Sequence, residues 1–163
     1  MTEKPTATPE GLVVAVDGKG AGRVRSDLAQ IGDVSDLGRA GLFLLRRKSP
    51  PARARDSWSD LLGRLPEALW AAPVLKDADG NELYPTGSVV VRFHKRTTDA
   101  ALRRFASGHG LAFEGRNEFV AEQATFRPLR PRDVYLPELA ERLAALPEVR
   151  AAWMGTTARY RRA

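Results

Sequence analysis

The chain carries two histidines, His94 and His109, and no cysteine. A hydrolytic site needs a nucleophile, a base and a group that orients the base. Without a thiol, cysteine nucleophiles, zinc–thiolate sites and disulfides are all excluded. His94 ends an apolar run. His109 sits between two glycines where a helix should stop, and an imidazole suits the negative end of a helix dipole there. Their spacing fits neither HxxxH nor HExxH. No serine lies in a nucleophile-elbow pattern. Both histidines are therefore expected to be surface or capping residues, and neither a catalytic residue nor a metal ligand is expected.

Two further groupings invite the same question. Asp77, Asp79 and Asn81 resemble the start of a calcium loop, but Gly80 falls at the wrong place and no glutamate follows at the required spacing. They read as an ordinary turn. Gly18-Lys19-Gly20-Ala21-Gly22 stands between a buried strand and a helix, where a phosphate loop could sit. It is neither GxxxxGK[ST] nor a full GxGxxG, so a flexible turn is the reading. No cofactor and no enzymatic activity are expected.

The surrounding composition is that of a globular protein, 43% apolar in 163 residues. The net charge of +6 is unevenly placed. Residues 1–80 hold 12 basic and 11 acidic side chains, residues 81–163 hold 14 and 9, and Arg159, Arg161 and Arg162 supply three of the excess charges. A basic tail on a balanced body is a weak argument for nucleic-acid binding. No run is long enough to cross a membrane. Met1–Glu10 has no apolar leader core, so a soluble cytoplasmic protein is expected, or an extracytoplasmic one if a leader has been removed.

Positioning comes from a pattern that occurs twice. Leu65-Pro66-Glu67-Ala68-Leu69-Trp70-Ala71-Ala72-Pro73 aligns without a gap on Leu146-Pro147-Glu148-Val149-Arg150-Ala151-Ala152-Trp153-Met154. Each copy ends an apolar helix and opens a strand. A repeat of about eighty residues suits one small domain. In the first half, Leu12–Val16 reads as a buried strand and Val24, Leu28 and Ile31 as a helix that Gly32 ends. Val34–Leu37 and Ala40–Arg47 follow as strands. A helix capped by Asp56 carries Trp58, Leu61, Leu62 and Leu65. Leu69–Leu75 closes the half, with Pro73 marking a sheet edge. In the second half, Val89–Phe93 opens. Thr97 or Thr98 caps a helix bearing Ala101, Leu102, Phe105 and His109. Leu111–Glu114 and Phe119–Phe126 form a hairpin around Gly115-Arg116-Asn117. A helix begun by Pro137 leads to Val149–Met154.

The expected fold class is α+β: two tandem ferredoxin-like βαββαβ modules with antiparallel sheets. The boundaries are a flexible arm at 1–10, a degenerate first module at 11–76, a connecting turn at 77–82, a second module at 83–154 and a basic tail at 155–163.

Tyr84-Pro85-Thr86-Gly87-Ser88-Val89-Val90-Val91-Arg92-Phe93 resembles the opening strand of the N-terminal prodomains of bacterial subtilisin-like serine proteases of the fervidolysin type. The Thr97-Thr98-Asp99 helix start follows in the same order. Gly108-His109-Gly110-Leu111 resembles that family's K/R-x-G-L helix exit, and Leu146-Pro147-Glu148-Val149 its L-x-x-L-P-x-V entry to the closing strand. The resemblance covers 83–154 and extends weakly to 11–76, where Ala72-Pro73-Val74 stands for the family's A-P-V. Trp153-Met154-Gly155 departs from the family's E-P-N continuation.

The resemblance implies an intramolecular chaperone and temporary inhibitor whose open sheet face packs on two helices of the protease. Acidic residues beside the second-to-third-strand hairpin would cap those helices, here Glu114 and Glu118. The segment Trp153, Met154, Gly155, Thr156, Thr157, Ala158, Arg159 and Tyr160 would run into the substrate cleft as an added strand. The implied partner is a subtilisin-like serine protease, in cis or in trans. The chain would be a prodomain, a separate inhibitor or chaperone, or a docking subunit. The alternative is a ferredoxin-like nucleic-acid binder using the basic tail and sheet aromatics such as Phe43, Phe119 and Phe126. No RNP1 pattern supports it, and nucleic acid is not the expected partner. An enzyme working between the modules has no residue constellation behind it.

Overall fold

The computed structural model describes residues 4–158. It is a mixed α and β protein with antiparallel strand pairing and, among the described residues, four α-helices. Thr86–Gly155 forms one compact unit, and the described residues on either side of it form the other.

The first unit begins with β1 (Thr6–Val16), whose apolar run Leu12-Val13-Val14-Ala15-Val16 is buried on both faces. Such a strand must sit inside its sheet, and it does. Next come α1 (Ala21–Ala29), β2 (Gly32–Asp36), β3 (Leu42–Arg47), α2 (Ala54–Arg64) and β4 (Ala68–Lys76), in the spatial order β2-β3-β1-β4. Val14 stands opposite Phe43 and Ala71, and Val13 opposite Leu44 and Ala72. Val24 and Leu28 of α1, and Trp58, Leu61 and Leu62 of α2, are buried. Trp58 can be buried because its Nε1–H donates to the Ala71 carbonyl at 2.8 Å. The segment Glu82–Phe93, β5, starts in this unit by pairing Glu82 with Lys76 and Leu83 with Leu75. Pro73 does not mark a sheet edge as expected: β4 lies between β1 and β5, with Pro73 opposite Leu12 of β1 and beyond the short ladder to β5.

Several expectations need correcting. Residues 6–10 are not a flexible arm: Thr6 and Ala7 pair with Lys76 and Leu75, and the Thr8 hydroxyl donates to the Val74 carbonyl at 2.9 Å. A register shift between Ala7 and Leu12 hides this polar stretch from period-2 reading. Gly32 opens β2 rather than ending α1, which stops at Ala29. Arg53 occupies the N-cap of α2, and Asp56 lies in its first turn, where a carboxylate still complements the dipole.

One buried charge shapes this unit. The Arg47 side chain is 4% exposed and donates to Asp60 Oδ2 at 2.6 Å and to the Ser57 carbonyl at 2.9 Å. Arg46 makes a two-pronged pair with Glu82, at 2.9 and 2.7 Å. Hydrogen bonding from Arg47 holds the Asp60 carboxyl below its ordinary 3.8, and that from Arg46 holds Glu82 below its ordinary 4.5. A depressed folded-state pKa stabilises above the unfolded value and loses that contribution as pH falls through the folded one. The first unit should therefore lose stability as pH drops below about 4.5. Urea midpoints measured against pH should show this decline, and the Asp60→Asn, Glu82→Gln double variant should start lower and decline less. Parallel curves for the two proteins would refute the assignment.

The second unit continues along β5 and adds α3 (Asp99–Gly108), β6 (Leu111–Arg116), β7 (Gln123–Pro128), α4 (Leu136–Ala144) and β8 (Val149–Thr157). Its strands lie in the order β8-β5-β7-β6. The Thr98 hydroxyl caps α3 by accepting from the Ala101 N–H at 3.2 Å, and Pro137 lies in the first turn of α4. Val89, Val91, Phe93, Ala124 and Phe126 are buried on one face, and Phe105 of α3 packs its ring against Phe93 and Phe126. Leu136, Leu139, Ala140 and Leu143 of α4 are buried as well. Burying a side chain of this size contributes about 1.5–3 kcal/mol before entropy is counted.

The hairpin differs from expectation. Phe119 is not in a strand: β7 starts at Gln123, and Asn117–Glu122 is a loop. The doubled motif keeps its local geometry. The Leu65 N–H donates to Leu62 and the Ala68 N–H to Leu65, at 3.3 and 3.2 Å; the Leu146 N–H donates to Leu143 and the Val149 N–H to Leu146, both at 3.1 Å.

Candidate partner-binding face

Strand side chains alternate between faces, so burying Val89, Val91 and Phe93 sends Val90 and Arg92 to the other side. Pairing sets their neighbours there: Val90 stands opposite Thr125, and Arg92 opposite Gln123. Arg92 donates to Gln123 Oε1 at 3.0 Å, and its guanidinium lies 5.9 Å from the centre of the Trp153 ring. Its Nε is buried and makes no hydrogen bond within the described residues. Trp153 itself is 39% exposed, a large ring on an open sheet face.

Glu114 belongs to the same face, because its carboxylate pairs with Arg127 across β6 and β7. Its charge is thus locally neutralised. Glu118 is exposed in the loop and, among the described residues, makes no ion pair. Of the two acids singled out in the sequence, Glu118 is the one free to meet a partner's positive pole.

The loop is built rather than loose. Asn117 Oδ1 accepts from the N–H groups of Phe119 and Val120 at 2.8 and 2.9 Å, an Asx-type turn. Arg116 donates to the Ala121 carbonyl at 3.1 Å and pairs with Asp99 at 2.9 Å. On this base Phe119 stands 92% exposed. The sequence places it in the strand Phe119–Phe126, which begins instead at Gln123. The available signal was Asn117, whose side chain favours a turn two residues ahead of the aromatic.

The remaining candidates divide. Met154 is 4% exposed, so its side chain serves the protein's own interior and cannot contact a partner without leaving it. Gly155 is buried too: a Cβ there would lie 2.7 Å from the Thr86 hydroxyl and 2.8 Å from that of Ser88. Thr156 and Thr157 continue β8, which shortens the expected tail, and Ala158 is exposed. Arg159 and Tyr160 lie outside the described residues.

Among the described residues no cluster of three His, Asp or Glu side chains is placed to hold a metal ion. No described helix is long and apolar enough to cross a membrane. Phe43 and Phe126 are 4% and 0% exposed, so neither ring can stack on a nucleobase. No protein-family model matches the chain, and comparison with curated proteins and with solved structures gives no match.

Proposed function

We propose that the chain is a noncatalytic protein-binding protein of the subtilisin-propeptide kind, built from two tandem ferredoxin-like βαββαβ modules. The order strand, helix, strand, strand, helix, strand in each unit supports the duplication, as do the matching turns at Leu65–Ala68 and Leu146–Val149. The second module docks on a subtilisin-like serine protease, in cis or in trans, as chaperone, inhibitor or docking partner. One observation carries this reading: an open sheet face bearing Trp153 and Arg92 belongs to the same unit as a braced loop that holds out Phe119 beside an unpaired Glu118. An exposed aromatic anchor next to a free carboxylate suits a surface that offers a helix N-terminus.

The test uses the full chain against purified subtilisin-like proteases, both folded and during refolding from denaturant. Inhibition or faster recovery of activity is expected. The Glu118→Lys, Phe119→Asp variant should weaken inhibition about tenfold or more. Both side chains are exposed, so its unfolding midpoint should stay within about 0.5 kcal/mol of the parent. Absence of both inhibition and refolding assistance across a panel of such enzymes would overturn the proposal.

A further inference from the structure

The second unit also contains a cleft of about 660 Å³ where β5 ends against α3. That volume is in the range of small-molecule sites. Its apolar wall is Phe93, Ala101, Phe105 and Pro147. The Phe105 ring lies 5.0 Å from that of Phe93 and 4.7 Å from the His109 imidazole, so three rings form one continuous surface. Phe105 and Ala101 keep part of that surface open to solvent. The two histidines, far apart in sequence, both line this cleft.

Its charges are one-sided. Lys95 and Arg104 are exposed on the lining and, among the described residues, neither makes an ion pair. Glu148 is the one acid on the lining. Lys95 and Arg104 against the one carboxylate of Glu148 leave a single positive charge among these three side chains. A monoanion cancels that charge, whereas a cation or a neutral ligand does not.

We infer that this cleft binds a small aromatic monocarboxylate, its ring against Phe93 and Phe105 and its carboxylate between Lys95 and Arg104. The site uses neither the open sheet face nor the Phe119 loop. It can therefore be right or wrong independently of the protease reading. An apolar wall alone would accept any greasy ligand; unpaired cations at its edge select the acid, because a charge-assisted hydrogen bond is roughly twice as strong as a neutral one.

Phenylbutyrate, phenylbutanol and phenylbutylamine, titrated into the full-length protein and followed by amide NMR shifts and calorimetry, decide the matter. Phenylbutyrate should bind at least tenfold more tightly than the alcohol, and the amine should bind weakest. Shifts should be confined to residues 93–97, 101–110 and 147–149. Arg104→Gln and Lys95→Gln should each weaken phenylbutyrate about five- to tenfold and leave the alcohol unchanged. Both are exposed positions, so folding is preserved. Ala101→Trp should fill the cleft and abolish binding of all three. Equal affinity for acid and alcohol, or shifts mapping elsewhere, would overturn the inference. So would tighter binding of a peptide ending in a free phenylalanine, since the occupant would then be a chain terminus.

Discussion

Replacing Phe126 by alanine should remove a large share of the second unit's stability. Phe126 is fully buried, and its ring meets three others: Phe105 at 5.3 Å, Phe113 at 5.9 Å and Phe93 at 6.4 Å between centroids. Those partners come from α3, β6 and β5, so one side chain ties three elements together. Truncating a buried phenylalanine costs about 3–5 kcal/mol. A domain of roughly seventy residues holds on the order of 4–10 kcal/mol in all. The loss therefore takes about a third of the unit's stability at the least and all of it at the most. Amide exchange should report it: protection at Val89–Phe93 and Gln123–Phe126 should drop by at least a hundredfold. The Phe93–Phe105 wall should go with it, and phenylbutyrate binding too. Native-like protection in the variant would mean that the aromatic cluster is not the centre of this core.

A strand buried on both sides announces itself by an unbroken apolar run, and Leu12–Val16 was legible for that reason; Val89–Val91 is equally apolar, although only Val89 and Val91 are buried. Helix faces at 3.6-residue spacing were equally clear, as with Leu139 and Leu143. What stayed hidden depends on tertiary pairing. Thr6–Glu10 has no apolar alternation, and only the partner strand at Leu75 and Lys76, with Thr8 bonded to Val74, makes it β. The exposure of Phe119 turns on where β7 begins, and Gln123 looks no more strand-like than Phe119 does. Met154 was placed on a contact surface with the whole segment that the resemblance sends into a cleft, yet the alternation of a strand puts Met154 on the opposite side from the exposed Trp153. The cleft was beyond reach for a different reason. His94, Arg104 and Pro147 come from three segments, and their shared wall exists only once β5, α3 and the turn before β8 are assembled.

Gly41→Val is the substitution with the other large expected effect, and it acts through the backbone. Gly41 has φ near +78°, a region costly to any residue with a Cβ and worst for a β-branched one. Occupying it costs about 1–3 kcal/mol by itself. There is no room either: a Cβ at Gly41 would lie 2.2 Å from the Val16 carbonyl oxygen, a separation no real contact tolerates. The Gly41 carbonyl accepts from the Val16 N–H at 2.7 Å, so the collision with the Val16 carbonyl falls on the residue whose N–H fastens the β2–β3 connection to the end of β1. Relaxing the clash moves the backbone at Val16, strains that bond and shifts the start of β3, where Leu42 and Phe43 are buried opposite Ala15 and Val14. Strain and lost pairing together should cost about 3 kcal/mol or more. A lowered urea midpoint, with lost amide protection at Val16 and Leu42, is the expected result. Gly41→Ala should show the same changes to a lesser degree, because it shares the positive φ and the Cβ contact but lacks the branched side chain. A fully stable Gly41→Val protein would mean that the turn readily adopts a second conformation, and that β1 is not pinned at Val16.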